Sequence, residues 1–257
     1  MSFDLHVHTT FSDGKNTPEE IVLEAIRRGM DTIGFSDHSY TRFDESYCMK
    51  KERIEEYIHT VRALKEKYRD RIRVLLGIEQ DLYSAEPTDR YDYVIASVHY
   101  LKIGETFVEV DWSPEIQKET AKTYFGGDFY QMIEAYFETV ALIPQKLRAD
   151  YIGHFDLISI VNEKEALFSE DDPRYLKPAF RAVDALIRRG NRVFEINTGA
   201  MARGYKTVPY PSDKLRRYIE QQGGRFILSS DSHKKETLCY AFSEYQSEVK
   251  EFLTYGQ

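Results

Sequence analysis

Seven short apolar runs alternate with amphipathic helical stretches along this chain, and six of the seven stop at a histidine or a carboxylate. The first begins at Phe3 as a short alternating strand, with Phe3, Leu5 and Val7 expected on one face and Asp4, His6 and His8 on the other. Thr32–Ser36 stops at His38, Arg71–Ile78 at Glu79, Tyr91–Ser97 at His99, and Asp150–Gly153 at His154. Arg192–Ile196 ends at Asn197, and Arg225–Ser229 runs into Asp231 and His233. Strand alternating with helix means a parallel sheet with helices outside it. An open doubly wound sheet would gather only the residues near its switch point. A closed barrel brings every strand end to one rim, where reactive groups collect. The position of the polar residues therefore favours an α/β fold closed as a TIM-like barrel.

The intervening segments carry their own punctuation. Thr17-Pro18-Glu19-Glu20 reads as a helix start, with Thr17 as N-cap, Pro18 at the first position and Glu20 completing a capping box. Residues 50–69 form a charged helix whose apolar stripe is Ile54, Tyr57, Ile58, Val61, Ala63 and Leu64, with His59 on its surface. The long connection over 100–150 is rich in aromatic residues, and a helix over about 128–148 follows Gly126-Gly127. Its first part, about 100–130, is a lid or an insertion. Further helices are expected over 176–189, from Ser212 to Gly223-Gly224, and at the C-terminus.

At 257 residues, with 42% hydrophobic content and no linker or repeat, residues 1–257 make one domain. The net charge of −8 argues against a nucleic-acid backbone as the main partner. Met1 runs into a strand without a basic or apolar leader, and no apolar stretch approaches membrane length, so a cytoplasmic protein without a membrane partner is expected. Cys48 and Cys239 lie far apart and outside any C-x-x-C, which fits two reduced thiols.

Two histidines at i and i+2 on a strand, as at His6 and His8, project from one face within reach of a single metal ion. Asp13 follows from a Ser-Asp-Gly turn. Each of the six strand-end histidines has an ordinary explanation, as a loop cap or a satisfied imidazole. Together they do not, because nothing about capping requires a histidine at one strand end after another. Six histidines with Asp13, Glu79 and Asp231 exceed the three or four ligands of one zinc, so two or three divalent ions are implied. Imidazole and carboxylate without thiolate suit Zn, Fe or Mn. Adjacent ions of this kind lower the pKa of a bridging water and hold the oxygens of an in-line displacement. Phosphate esters are the natural substrates for such a centre.

The motifs H-x-H-T-x-F-S-D-G, Ser-Asp-His38, Gly-Ile-Glu79, Ser-Val-His99, Gly-His154-Phe-Asp and Ser-Asp231-Ser-His233 occur in the order found in the polymerase and histidinol phosphatase (PHP) family, which the chain resembles over nearly its whole length. The resemblance implies a distorted (β/α)7 barrel with a trinuclear site. His6, His8, Glu79 and Asp231 would hold one ion, Glu79, His99 and His154 a second, and Asp13, His38 and His233 a third. The length, the aromatic insertion and the segment from Glu195 through Arg203 to Ser212 are most similar to the stand-alone L-histidinol phosphate phosphatases. That branch implies hydrolysis of a small phosphate monoester in histidine biosynthesis, by direct attack of a metal-bridging hydroxide.

Arg203 would then bind phosphate through its fork of donors. Arg42, Lys102 and Tyr210 are further substrate-binding candidates, Trp112 is a wall candidate, and Asp231 and His233 are candidates to protonate the leaving alcohol. Asp37 and Asp156 are candidates to orient an imidazole. Three alternatives remain open: a PHP phosphoesterase acting on nucleotides or oligonucleotide ends, a non-catalytic metal-stabilised module, and an amidohydrolase-like enzyme on a related barrel.

Overall fold

The computed structural model describes residues 2–111 and 113–249. Strands are β1 (Phe3–Asp4), β2 (Thr32–Phe35), β3 (Arg73–Asp81), β4 (Tyr93–Ser97), β5 (Tyr100–Ile103), β6 (Thr106–Glu109), β7 (Tyr151–Ile152), β8 (Val193–Asn197) and β9 (Arg225–Ser229). Seven form one parallel sheet in the order β1-β2-β3-β4-β7-β8-β9, and β5 and β6 make a separate antiparallel hairpin. The ring closes just beyond its terminal strands. Val7 bridges Ser232 in parallel, the His8 N–H donates to the Ser232 carbonyl at 2.9 Å, and the Ser232 N–H donates to that of His6 at 3.0 Å. Below this, buried Asp4 accepts from Ser230 Oγ at 2.5 Å, from its N–H at 3.2 Å and from the Cys239 N–H at 3.0 Å. The expected seven-stranded barrel is what forms.

Alternation along each strand sorts side chains between the barrel interior and the helices. On β3, Val74, Leu76 and Ile78 face outward into the cluster shared with helices Pro18–Arg27 and Ile54–Lys67. Leu75 faces inward, in a small interior core with Leu5, Tyr93, Ile95, Tyr151 and Ile227. Tyr93 fills the middle of this core, and its Oη donates to the carbonyls of Leu5 at 2.6 Å and Phe35 at 2.9 Å. Gly77, inward on β3, lies against the Tyr93 ring, where a Cβ would overlap it.

The capping box at Thr17 forms as expected: Thr17 Oγ1 accepts from the Glu20 N–H, and Glu20 Oε2 accepts from the Thr17 N–H. Four expectations are corrected. Strand pairing of β1 stops at Asp4, so strict alternation fails: Leu5 enters the interior core, whereas Val7 joins the outer cluster with Phe11 and Ile21. Ala63 is exposed, because the stripe of its helix closes on Tyr57, Ile58, Val61 and Leu64. The helix expected over 128–148 breaks into Phe129–Val140 and Ile143–Lys146, since Pro144 has no N–H to continue the first. The final helix is reduced to short turns at Lys235–Thr237, Phe242–Tyr245 and Gln246–Glu248, and the rest of that expectation lies outside the described residues.

Between the neighbouring barrel strands β4 and β7, the described residues of 100–130 include the β5–β6 hairpin and helix Pro114–Phe125. Helix Pro173–Arg188 starts before the expected 176, where the Asp172 carboxylate accepts from the Arg174 N–H at 2.8 Å. Cys48 and Cys239 are free thiols. Among the described residues no helix is long and apolar enough to cross a membrane.

Candidate metal centre

All nine expected ligands meet at the C-terminal rim, and Glu79 is their hub. Its Oε2 lies 2.7 Å from His38 Nδ1, 3.4 Å from His6 Nε2 and 3.7 Å from His8 Nε2. Its Oε1 lies 2.9 Å from His154 Nε2 and 3.4 Å from His99 Nε2. Asp231 Oδ1 stands 3.2 Å from His8 Nε2 and 3.8 Å from His6 Nε2. Asp13 faces His233 at 3.1 Å, His38 at 3.7 Å and His8 at 3.9 Å. The rings of His6 and His8 are 5.1 Å apart, so the pair faces one site even though β1 has ended.

The residues present fit divalent ions. His6 Nε2, His8 Nδ1, Asp13 Oδ1 and His154 Nδ1 are buried without a hydrogen-bond partner, although buried polar atoms are nearly always satisfied. Ligand atoms within 4.8 Å of one another form four groups: His6–His8–Asp231, His6–Glu79–His154, His38–Glu79–His99 and His8–Asp13–His38–His233. These overlap the family assignment, and His99 and His154, both facing Glu79 Oε1, stand together as well, with rings 5.1 Å apart. Burial lowers the His8 pKa to about 3, helped by His233 and His38, so this imidazole stays neutral, as a ligand must. For Glu79 burial works in the opposite direction, but His38, His6 and His99 outweigh it and hold the carboxyl well below its usual range.

A model of the PHP domain matches residues 4–199. The chain belongs to the PHP domain family. A relative from Schizosaccharomyces pombe, named probable histidinol-phosphatase, is 30% identical over 240 residues, covering 84% of this chain and 74% of its own. The PHP barrel also superposes on hisK from Listeria monocytogenes with a TM-score of 0.78 at 23% identity, over 95% of this chain and 100% of that one. A second solved structure is histidinol phosphate phosphatase (HISK) from Lactococcus lactis, complexed with Zn, L-histidinol and phosphate. Its TM-score is 0.72 at 22% identity, over 97% of this chain and 92% of that one.

The carboxylates that orient imidazoles in this PHP site are not the two expected. Asp37 instead accepts from Thr9 N–H at 2.8 Å and Ser12 Oγ at 2.6 Å, tying down the loop that carries Asp13. Asp156 accepts from Tyr175 Oη and the Ser212 N–H. The orienting acids are Glu195, 2.7 Å from His6 Nδ1, and Asp81, 3.3 Å from His99 Nδ1. Glu195 also accepts from the His154 N–H at 3.1 Å, so one side chain from β8 braces two rim segments. Both had a signal in the sequence. Asp81 follows Glu79 by two on β3, and Glu195 alternates with the outward Phe194 and Ile196.

Above the centre lies a cavity of about 430 Å3, lined in part by Asp13, His38, His99, His154, Asp231 and His233. Arg203 lines it too. Its Nη2 donates to Asp231 Oδ2 and its Nη1 to the Asp231 carbonyl, both at 3.0 Å. Asp231 has φ 47°, a left-handed conformation costing on the order of 1 kcal/mol, and this guanidinium clamps it there. Burial would raise the Asp231 carboxyl, but Arg203 and His6 hold it well below the usual range. Arg42 is exposed and does not line the cavity, being carried outward by its loop. Lys102 points away over the Phe107 ring, 3.8 Å from Glu105. Tyr210 is fully buried beneath the cavity, its ring 6.3 Å from that of His154, and does not line it. Trp112 lies outside the described residues.

Proposed function

We propose that this PHP protein is a metal-dependent phosphomonoesterase that hydrolyses L-histidinol phosphate to L-histidinol and inorganic phosphate. The supporting observation is the convergence of imidazoles on the Glu79 carboxylate, with orphaned buried ligand atoms, at the floor of a cavity of small-molecule size. The names of the relatives point the same way. His6, His8, Asp13, His38, Glu79, His99, His154, Asp231 and His233 would hold two or three ions of Zn, Fe or Mn. Bound there, the ions supply an activated water and neutralise the phosphate oxygens.

The chain's own residues do the rest. Glu195 and Asp81 fix the ring orientations of His6 and His99. Arg203, held by Asp231, presents its remaining donors to the dianion. His233, part-exposed at the cavity, is the candidate that would give the leaving alcohol its proton in the two-ion form, where it holds no metal. Metal-replete protein should release phosphate from L-histidinol phosphate at a kcat/KM well above that for nucleoside bisphosphates or an aryl phosphate, and chelation should abolish it. Preference for a nucleotide, or full activity after metal stripping, overturns the reading.

Arg203→Ala should raise KM and lower kcat, for a combined loss of about tenfold to a hundredfold, because charge-assisted hydrogen bonds to phosphate are lost. The same change frees Asp231 from its clamp. An unchanged kcat/KM would remove Arg203 from the phosphate site.

A further inference from the structure

A buried lysine joins the loop that carries Arg203 to the segment that carries His154. Arg203 stands at the end of a short helix, Gly199–Ala202, in the loop after β8, and its N–H donates to the Gly199 carbonyl at 3.0 Å. The chain then doubles back through Gly204 at φ 74°, and the N–H groups of Tyr205 and Lys206 both reach the Ala200 carbonyl, at 2.9 and 3.3 Å. Arg203 and Lys206 thus share one closed turn, and the backbone position of one sets that of the other.

Lys206 does not line the cavity. It is 5% exposed, and its Nζ donates to Ser159 Oγ at 3.0 Å, in the segment that follows β7 and His154. Ser159 Oγ in turn donates to the Asp156 carbonyl at 2.8 Å. The ammonium lies over the Tyr210 ring, 5.2 Å from its centroid, and 3.9 Å from Glu170 Oε1. Burial raises the Asp156 carboxyl to about 6, and Lys206 is the strongest influence opposing that rise. The same carboxylate accepts from the Ser212 N–H at 3.0 Å, at the far end of the β8 loop. A buried ammonium is costly unless its surroundings offset the lost hydration, and an apolar side chain would fill the space without that cost. The base of the loop is already closed by the pairing of Asn197 with Tyr210. What the ammonium adds is a fixed point between two rim segments, one bearing a metal ligand and the other the guanidinium.

We infer that Lys206 is a positioning residue for phosphate: held by Ser159, it fixes the turn that aims Arg203 and so sets the distance from that guanidinium to the ligand cluster. Asp231 holds the tip of Arg203 from the β9 side, and Lys206 holds its backbone from the β7 side. This role rests on the phosphomonoesterase reading of the cavity and places a determinant of phosphate binding outside it. Functional groups keep their geometry only when the residues behind them are locked.

Inorganic phosphate is the probe, bound to metal-replete wild type, Lys206→Met, Arg203→Ala and the double variant. Methionine keeps most of the stem and removes the charge. Lys206→Met should weaken phosphate binding by about tenfold in calorimetry, and lower kcat/KM for an aryl phosphate by a similar factor, chiefly through KM. Metal content and far-ultraviolet circular dichroism should stay native. In the Arg203→Ala background the same change should cost less than about twofold, because no guanidinium is left to aim. Equal losses in both backgrounds would make Lys206 a support of the fold alone, and no loss would leave it without a role; either result overturns the inference. In metal-free protein, amide exchange at Tyr205 and Lys206 should quicken by about tenfold in Lys206→Met while β3 is unaffected, and unchanged exchange also overturns it. Should Lys206→Met fail to fold, Ser159→Ala carries the comparison. It removes only the acceptor of the ammonium, and wild-type phosphate affinity in that variant would sink the proposal. Wild type that hydrolyses the aryl ester and ignores L-histidinol phosphate would defeat the substrate assignment, whereas Lys206 is judged on phosphate binding in either case.

Discussion

Glu79→Gln is expected to lower phosphate release by at least about a hundredfold and to leave the purified protein short of at least one equivalent of metal. The outer partners of metal ligands already account for losses of about tenfold to a hundredfold, so a central ligand should exceed them. Five imidazoles face this one carboxylate, which also accepts from Ser97 Oγ at 2.6 Å. Glutamine keeps the shape and discards the charge. Its amide would present a donor to ring nitrogens that face an acceptor in the native site. The change is confined to the rim, above the interior core, so the barrel should keep its far-ultraviolet circular dichroism. Metal content by elemental analysis and turnover of L-histidinol phosphate are the two readouts. Full metal loading with native turnover would show that Glu79 is not the hub.

Much of this centre was legible from strand ends, because a parallel barrel turns a one-dimensional pattern into a ring. His38, His99 and His154 are far apart in sequence, yet each follows an apolar run and each arrives at Glu79. What the pattern did not reveal sits inside strands rather than after them. Glu195 is two residues before Asn197 on β8, and a carboxylate in mid-strand ordinarily marks a solvent face. Only closure of the sheet makes that face an interior. The β5–β6 hairpin was hidden within an aromatic-rich connection, although its two-residue turn at Gly104-Glu105 separates runs that pair Ile103 with Thr106. The outward courses of Arg42 and Lys102 depend on loop paths that no periodicity encodes. Asp37 had the right neighbour and the wrong partner, since the nearby hydroxyls and N–H groups of Thr9 and Ser12 claim its oxygens first.

Gly77→Ala should destabilise the protein by about 3 kcal/mol, the upper part of the range for overpacking, and lower Tm by roughly 10 °C. The inward column of β3 reads Leu75, Gly77, Glu79, Asp81: interior core, space for a ring, metal hub, imidazole partner. Tyr93 cannot withdraw from an added methyl group without breaking hydrogen bonds to Leu5 and Phe35, which hold it across β1 and β2. The strand must yield instead, and Glu79 is two residues along it. A displacement near 1 Å at reacting groups can cost about a hundredfold in rate, so the surviving folded fraction should also turn over slowly. In Gly77→Ala/Tyr93→Leu the overlap is relieved, and the double variant should lose less stability than the sum of the single changes by more than about 1 kcal/mol. Additive losses, or a Gly77→Ala protein as stable as wild type, would mean that Tyr93 does not set the spacing between the interior core and the metal centre.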